Sequence, residues 1–314
     1  MSKDYEITID AHPNIYNDFS PRKLNIYFSE PDKGINNETG LFLFIPGFGA
    51  NANSRVYKKM RSVFSDKYNV VTIQCDYFGW EFMQQENLEE TSKNFNDMGI
   101  MQALDNITAV IIVSEIIKDN KYTFNNSKII AYGHSHGAYL AYLCNVFAPN
   151  LFSLIVDNSA WIFPAYLKAN RVLNMNGKMI LFDYYAKSII KDFEILNLSS
   201  LYKDFKNNCM IHSFHGERDS LISLKEKRSF CSSLNNCFLH EITEDKIDNH
   251  IFKSTFHGLN ADFLLLFDYL LSNFSISFNY KNAITLKDHR LDTKLYSYVF
   301  DYSGFVPVLN IFSK

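Results

Sequence analysis

Hydrophobic and polar positions follow several patterns along this chain. Tyr5 to Ile9 and Lys23 to Phe28 alternate with a period of two, which predicts strands with one buried face. Gly40 to Pro46 and Asn69 to Cys75 are largely apolar, as expected of strands covered on both sides of a parallel sheet. Ser127 to Tyr132, Leu151 to Val156 and Asn208 to Phe214 read as further strands. Between them, Val56 to Phe64, Asp97 to Ile117, Gly137 to Phe147 and Phe263 to Phe274 space their apolar residues as helices do. The polar run Gln84 to Asn96 reads as a surface excursion.

Strands alternating with helices predict an α/β fold with a parallel or mostly parallel central sheet and helices on both faces. The period-two strands at the start fit an antiparallel edge. Two segments stand outside the alternation. Trp161 to Lys206 shows no obvious buried strand, carries Leu, Ile, Tyr and Lys at helical spacing, and reads as a helical insertion between two core strands. Beyond Phe274, where a doubly wound domain would end, Ser275 to Tyr280, Lys294 to Tyr302 and Phe305 to Phe312 read as three strands. The expected organisation is therefore a body of residues 1–274, including the insertion at 161–206, and a β-rich extension at 275–314. That extension is either an added sheet edge or an interface.

Composition narrows the class. The 314 residues are 47% hydrophobic and 21% charged, which suits a globular chain with a large core. Lys plus Arg number 31 and Asp plus Glu 34, and the balance of 31 − 34 = −3 argues against a nucleic-acid partner or an anionic membrane surface. Cys75, Cys144, Cys209, Cys231 and Cys237 form no CxxC and no zinc-ligand spacing, so free thiols in a reducing cytosol are expected. The first residues hold no apolar stretch of the kind a secretion signal needs. Ala261 to Leu271 is short and contains Asp262 and Asp268, so it reads as a buried helix rather than a membrane span. A cytoplasmic location follows as the expectation; oligomeric state is left open.

The chemistry concentrates at Gly133-His134-Ser135-His136-Gly137. An apolar strand precedes this G-x-S-x-G motif and a helix follows it. A strand-to-helix turn of this kind lifts a serine hydroxyl to the top of a sheet in a strained conformation, where side chains at the flanking positions would clash. His134 and His136 have no third ligand in view, so a metal site is not expected.

With these residues in place, the sequence resembles the α/β-hydrolase superfamily over about Leu41 to Phe274. Ile45-Pro46-Gly47-Phe48-Gly49 resembles its oxyanion loop, and Cys75-Asp76-Tyr77-Phe78-Gly79 its D-x-x-G turn. Phe214-His215-Gly216-Glu217-Arg218-Asp219 is similar to its acid turn, and Phe256-His257-Gly258 to its histidine loop. More weakly, the whole chain resembles an uncharacterised bacterial hydrolase group, some members of which are encoded near flagellin-glycosylation loci.

The resemblance implies a triad of Ser135, His257 and Asp219 in the order Ser, Asp, His. His250 competes as the base, although Gly258 favours a tight loop at His257. Asp157, after the strand that follows the nucleophile, competes as the acid. The backbone N–H groups of His136 and Phe48 are the implied oxyanion donors. Glu217 reads as a solvated turn residue, and His212 and His215 as structural. The implied activity is a cytoplasmic serine esterase working through a covalent acyl-enzyme, without metal or organic cofactor. Its expected substrate is a small polar or sugar-containing ester, such as an acetylated sugar. An acyltransferase, a peptidase and a non-catalytic binding module on the same fold are the alternatives. An imidazole base predicts kcat/KM rising with pH through the ordinary histidine range, roughly 6.5. The insertion would cap the site. Its polar residues Lys168, Asn170, Arg171 and Asn174 suit a polar substrate and short acyl groups, with acetyl above octanoyl by at least about tenfold.

Overall fold

A computed structural model of the chain describes residues 2–83, 89–175, 178–278 and 280–314. Along the body run strands β1 (Lys3–Asp10), β2 (Lys23–Glu30) and β3 (Gly40–Ile45), helix α1 (Arg55–Tyr68), strand β4 (Val70–Cys75) and helix α2 (Ile100–Asp119). Then come β5 (Ile129–His134), α3 (His136–Phe147) and β6 (Leu154–Asn158). The insertion holds β7 (Arg171–Met175), β8 (Lys178–Phe182), α4 (Ala186–Ile189) and α5 (Leu198–Leu201). The body resumes with β9 (Met210–Gly216), α6 (Leu224–Ser232), β10 (Cys237–Ile242) and α7 (Phe263–Asn273), and the chain closes with β11 (His289–Asp292), β12 (Tyr296–Asp301) and β13 (Val308–Ser313).

Eight strands form one sheet in the order β1-β2-β4-β3-β5-β6-β9-β10. β1 and β2 pair antiparallel, and β2 joins β4 antiparallel; every later pair is parallel. The period-two edge and the parallel centre both appear as the patterning predicts. Strand β3 shows how the sheet divides the core. Leu41, Leu43 and Ile45 pack with α2 and α3 on one face, while Phe42 and Phe44 pack with α1 and α7 on the other. Helix α2 is long and apolar enough to cross a membrane, but 83% of its apolar window is buried inside the protein, so it serves as a core helix.

Several expectations need correction. The insertion is not wholly helical: β7 and β8 pair as an antiparallel hairpin, with Arg171 opposite Phe182 and Val172 opposite Leu181. Helical spacing and strand alternation are hard to tell apart in segments this short, and the helices beside the hairpin, α4 and α5, have four residues each. Of the surface excursion expected at 84–96, residues 84–88 lie outside the described residues, 89–94 are exposed or half-buried as expected, and only the far end is buried. Phe95 and Asn96 are fully buried, with Asn96 accepting from Gln102 of α2. In the extension, residues 275–278 and 280 carry no strand, and residue 279 lies outside the described residues. Strand β11 supplies the third strand instead, and β11-β12-β13 form a sheet of their own rather than an added edge. Phe300 stacks on Phe147 of α3 at 4.7 Å, and Tyr302 donates to the Phe147 carbonyl at 2.7 Å, so this sheet packs on the body.

Candidate active site

Ser135 stands between β5 and α3 with φ 55° and ψ −118°, a conformation that L-residues rarely adopt. Its neighbours show why both flanking positions are glycine. A Cβ on Gly133 would fall 2.3 Å from the Ala138 nitrogen, and one on Gly137 would fall 2.0 Å from the Ile45 carbonyl oxygen. The turn is anchored by the Ser135 N–H, which donates to the Asn158 carbonyl at 2.8 Å. Helix α3 begins at the next residue, so its N-terminal N–H groups and dipole lie beside the hydroxyl.

Two loops deliver the partners of Ser135. Strand β9 ends at Gly216, and the Asp219 N–H donates back to the Gly216 carbonyl at 3.2 Å. The following loop presses against this turn: the Arg218 N–H donates to the Thr255 carbonyl at 3.0 Å, and a Cβ on Gly216 would fall 2.1 Å from that oxygen. Gly258 has φ +78°, and a Cβ there would fall 2.5 Å from His134 Nε2. Its N–H donates to Ser159 Oγ at 3.0 Å, and its carbonyl accepts from Asn158 Nδ2 at 3.2 Å. The histidine loop is thus tied both to the acid turn and to the end of β6.

The result is a continuous relay. His257 Nδ1 is 2.7 Å from Asp219 Oδ2, and His257 Nε2 is 2.7 Å from Ser135 Oγ. A carboxylate can only accept, so Nδ1 carries the proton and Nε2 is left to accept from the serine hydroxyl. The other Asp219 oxygen takes the N–H groups of Leu221 and Ile222 at 2.8 and 3.2 Å. Burial pushes the Asp219 pKa up, but the hydrogen bond and charge of His257 and the Leu221 N–H outweigh it and hold the group below the usual carboxylate value.

The loop after β3 lies over the nucleophile. A Cβ on Gly47 would meet the His134 carbonyl at 2.7 Å and Ser135 Cβ at 3.3 Å. The ring of Phe48 packs on His136 at 4.9 Å, Trp161 at 5.3 Å and Tyr166 at 5.3 Å, so the insertion meets the body here. His136 is fully buried, and its pKa is pushed down to about 3 by burial and by the charge of Arg171. Its Nε2 lies 2.6 Å from Gln102 Oε1. His134 is pushed down to about 4 by burial and by the nearby His257. Both flanking histidines are therefore neutral near pH 7. Among the described residues, no three His, Cys, Asp or Glu side chains gather as a metal site.

The two rivals lie elsewhere. His250 is exposed, and its N–H donates to Asp248 in a surface turn. Asp157 is fully buried but faces away from the imidazole: Oδ2 takes Lys227 Nζ at 2.7 Å, Tyr142 Oη at 2.9 Å and Ser213 Oγ at 2.7 Å, while Oδ1 takes the Ala160 N–H at 2.6 Å. His215 supports the acid turn by donating from Nε2 to the Ile222 carbonyl at 2.9 Å. His212 pairs with His240 at 2.9 Å, away from the relay. Glu217 accepts the Glu244 N–H at 3.2 Å. A cleft of about 540 Å³ between the insertion and the extension, lined by residues such as Asp204 and His289, is not lined by Ser135, His257 or Asp219.

A serine on a strained turn after a central parallel strand, met by an acid turn and a histidine loop from later strands, gives this chain the α/β-hydrolase fold. Residues 80–196 match a family described as a protein of unknown function (DUF2920); the match includes the serine turn and stops before Asp219 and His257. No curated protein matches the chain in sequence. Among solved structures, the chain is similar to Est1E from Butyrivibrio proteoclasticus with ferulic acid bound, at 16% identity and a TM-score of 0.54, over 80% of this chain and 93% of that one. It is also similar to Thermogutta terrifontis esterase 2 phosphonylated by sarin, at 14% identity and a TM-score of 0.53, over 83% of this chain and 94% of that one. A putative dipeptidyl aminopeptidase IV from Bacteroides ovatus matches 77% of this chain at 15% identity and a TM-score of 0.51, over 32% of its own length. At these identities the likeness establishes the fold.

Proposed function

We propose that this protein is a serine esterase in which Ser135 is the nucleophile, His257 the general base and Asp219 the orienting acid. The observation that carries this reading is the single imidazole held at 2.7 Å from both a serine hydroxyl and a buried carboxylate. In the first half-reaction, Ser135 Oγ attacks the ester carbonyl carbon while its proton passes to His257 Nε2. The resulting oxyanion is taken by the N–H groups of His136 and Phe48. The first begins α3, and the second belongs to the loop packed over Ser135. Collapse of this intermediate breaks the ester C–O bond, and the imidazolium returns its proton to the departing alcohol. Water, deprotonated by the same imidazole, then releases the acid and restores Ser135.

Esterases among the structural relatives support ester chemistry, the putative dipeptidyl aminopeptidase among them keeps amide cleavage as the alternative, and the esterase that sarin phosphonylates supports an organophosphorus probe. The narrower expectation of an acylated sugar rests on sequence resemblance alone. Fluorophosphonate labelling followed by peptide mapping, together with turnover of p-nitrophenyl acetate, tests the reading. Label on Ser135 in the parent and loss of both label and turnover in Ser135→Ala are expected. Turnover that persists in the alanine variant would exclude Ser135 as the nucleophile.

A further inference from the structure

Among the described residues Arg171 is a buried cation with no carboxylate partner, and it packs on Phe48 of the loop that lies over the proposed nucleophile. It opens β7, where strand alternation sends its side chain inward: the next pair, Val172 and Leu181, is 53% and 63% exposed, whereas Arg171 is 9% exposed. Its guanidinium carbon lies 4.6 Å from the centre of the Phe48 ring and 5.8 Å from that of Tyr166. Nη1 donates to the Met83 carbonyl at 3.0 Å and to Tyr184 Oη at 3.4 Å, both neutral oxygens. Among the described residues, no carboxylate pairs with Arg171 and none accepts from Nε or Nη2, and these two nitrogens are not sealed away from solvent.

Two other cations of the interior have a carboxylate partner, Lys227 with Asp157 and Arg22 with Asp105, and Arg61, whose Nη1 donates to the Ala52 carbonyl and to Gln74 Oε1, still lies in the field of Asp4 and Asp76. A buried charge is costly unless paired, so a lone guanidinium is a site waiting for an anion. The place of Arg171 says which anion. Phe48, under the guanidinium, belongs to the loop that covers Ser135 and supplies the proposed oxyanion donor. The same wall holds a second unmet donor: Trp161, stacked on Phe48 and 1% exposed, has no acceptor for its Nε1–H among the described residues.

We propose that Arg171 is the specificity residue of the Ser135 site and that the substrate is an ester carrying a carboxylate a few atoms from the scissile bond. This rests on the serine-esterase reading and names its substrate class. With the ester carbonyl at Ser135, the carboxylate reaches along the Phe48 ring to the free edge of the guanidinium, whose planar fork matches a carboxylate bidentately. Tyr184 and the Met83 carbonyl hold that fork in place.

The test compares kcat/KM, corrected for uncatalysed hydrolysis, within two matched pairs. p-Nitrophenyl hemisuccinate against p-nitrophenyl succinamate places the charge on the acyl side. O-acetyl-lactate against O-acetyl-lactamide places it on the alcohol side. At least one charged member should be favoured by about tenfold or more, equivalent to about 1.4 kcal/mol, and the pair that shows it locates the carboxylate. Arg171→Gln should bring that ratio to about one and Arg171→Lys should keep part of it; because each ratio is read within one variant, a general loss of rate cancels. If the variants do not fold, competitive inhibition of the parent by succinate and not by succinamide replaces them. Equal rates within both pairs, or a preference that survives in Arg171→Gln, overturns the proposal while p-nitrophenyl acetate turnover leaves the esterase reading standing. Absence of all turnover and of label at Ser135 overturns both.

Discussion

Asp157 and Asp219 sit at the carboxyl ends of neighbouring strands in the same sheet, and only one is placed to serve a histidine. Asp219 spends one oxygen on two turn N–H groups and keeps the other for His257. Asp157 has both oxygens occupied, with a buried lysine, a tyrosine, a serine and a backbone N–H around it. Burial and position on the sheet are alike. The difference is the acceptor capacity left over after local structure has been satisfied. A carboxylate whose lone pairs are already committed holds strands and helices together; one with an oxygen to spare can orient an imidazole.

Removing each acceptor in turn separates the two carboxylates most strongly. In Asp219→Asn the amide can still accept from the turn but presents a donor toward His257, favouring the wrong tautomer, so kcat should fall by about 10⁴-fold with the thermal midpoint little changed. Steady-state kinetics beside a melting curve checks both parts. Asp157→Asn should do the reverse. It leaves Lys227 buried without its counter-charge, which should cost about 3–5 kcal/mol in denaturant unfolding, while kcat per folded molecule stays within about tenfold. If the Asp157 variant is folded and inactive while the Asp219 variant works, the roles assigned here are exchanged.

A third buried carboxylate extends the comparison at a smaller scale. Among the described residues Asp97 forms no ion pair; it accepts from the N–H groups of Gly99 and Met101 and from Tyr16 Oη. Burial outweighs these donors and pushes its pKa up to about 6. A raised carboxyl pKa favours the protonated folded state, so its stability contribution is full below the ordinary value and is lost as pH rises through about 6. The parent should therefore lose up to about 3 kcal/mol relative to Asp97→Asn between pH 4 and 7. The slope of unfolding free energy against pH is the readout, since the amide also changes absolute stability.

How far the sequence reveals all this depends on how local the cause is. The serine turn, the acid turn and the histidine loop are legible because glycines at 133, 137, 216 and 258 report close backbone approaches that a Cβ would block. The apolar runs of β3 and β4 declare themselves in the same way. Strand β10 does not: it is an edge strand, its Cys-Phe-Leu-His-Glu-Ile run is mostly half-buried, and Phe238 faces solvent. The β7–β8 hairpin hides for a related reason, since residues on its outward face are apolar too. In the sequence Arg171 is only one of many polar residues in the insertion, singled out with Lys168, Asn170 and Asn174. Its lack of a carboxylate partner among the described residues is a fact of tertiary structure, as is the Lys227 that occupies Asp157.

The hydrogen bond between the two ends of the described chain has a kinetic consequence. His12 Nδ1 donates to the Pro13 carbonyl at 2.5 Å, which leaves Nε2 to accept the Leu309 N–H at 2.7 Å across 297 positions of sequence. Loop closure grows only logarithmically with length, by about 0.6 kcal/mol for each doubling, so such a contact is thermodynamically tolerable. Its cost falls on time. Contacts of high sequence separation slow the search for the native state, and this one can form only after the sheet between its ends has brought them together. The β11-β12-β13 sheet should accordingly gain amide-exchange protection late during refolding, after the central strands, and the segment around His12 should gain it in the same phase.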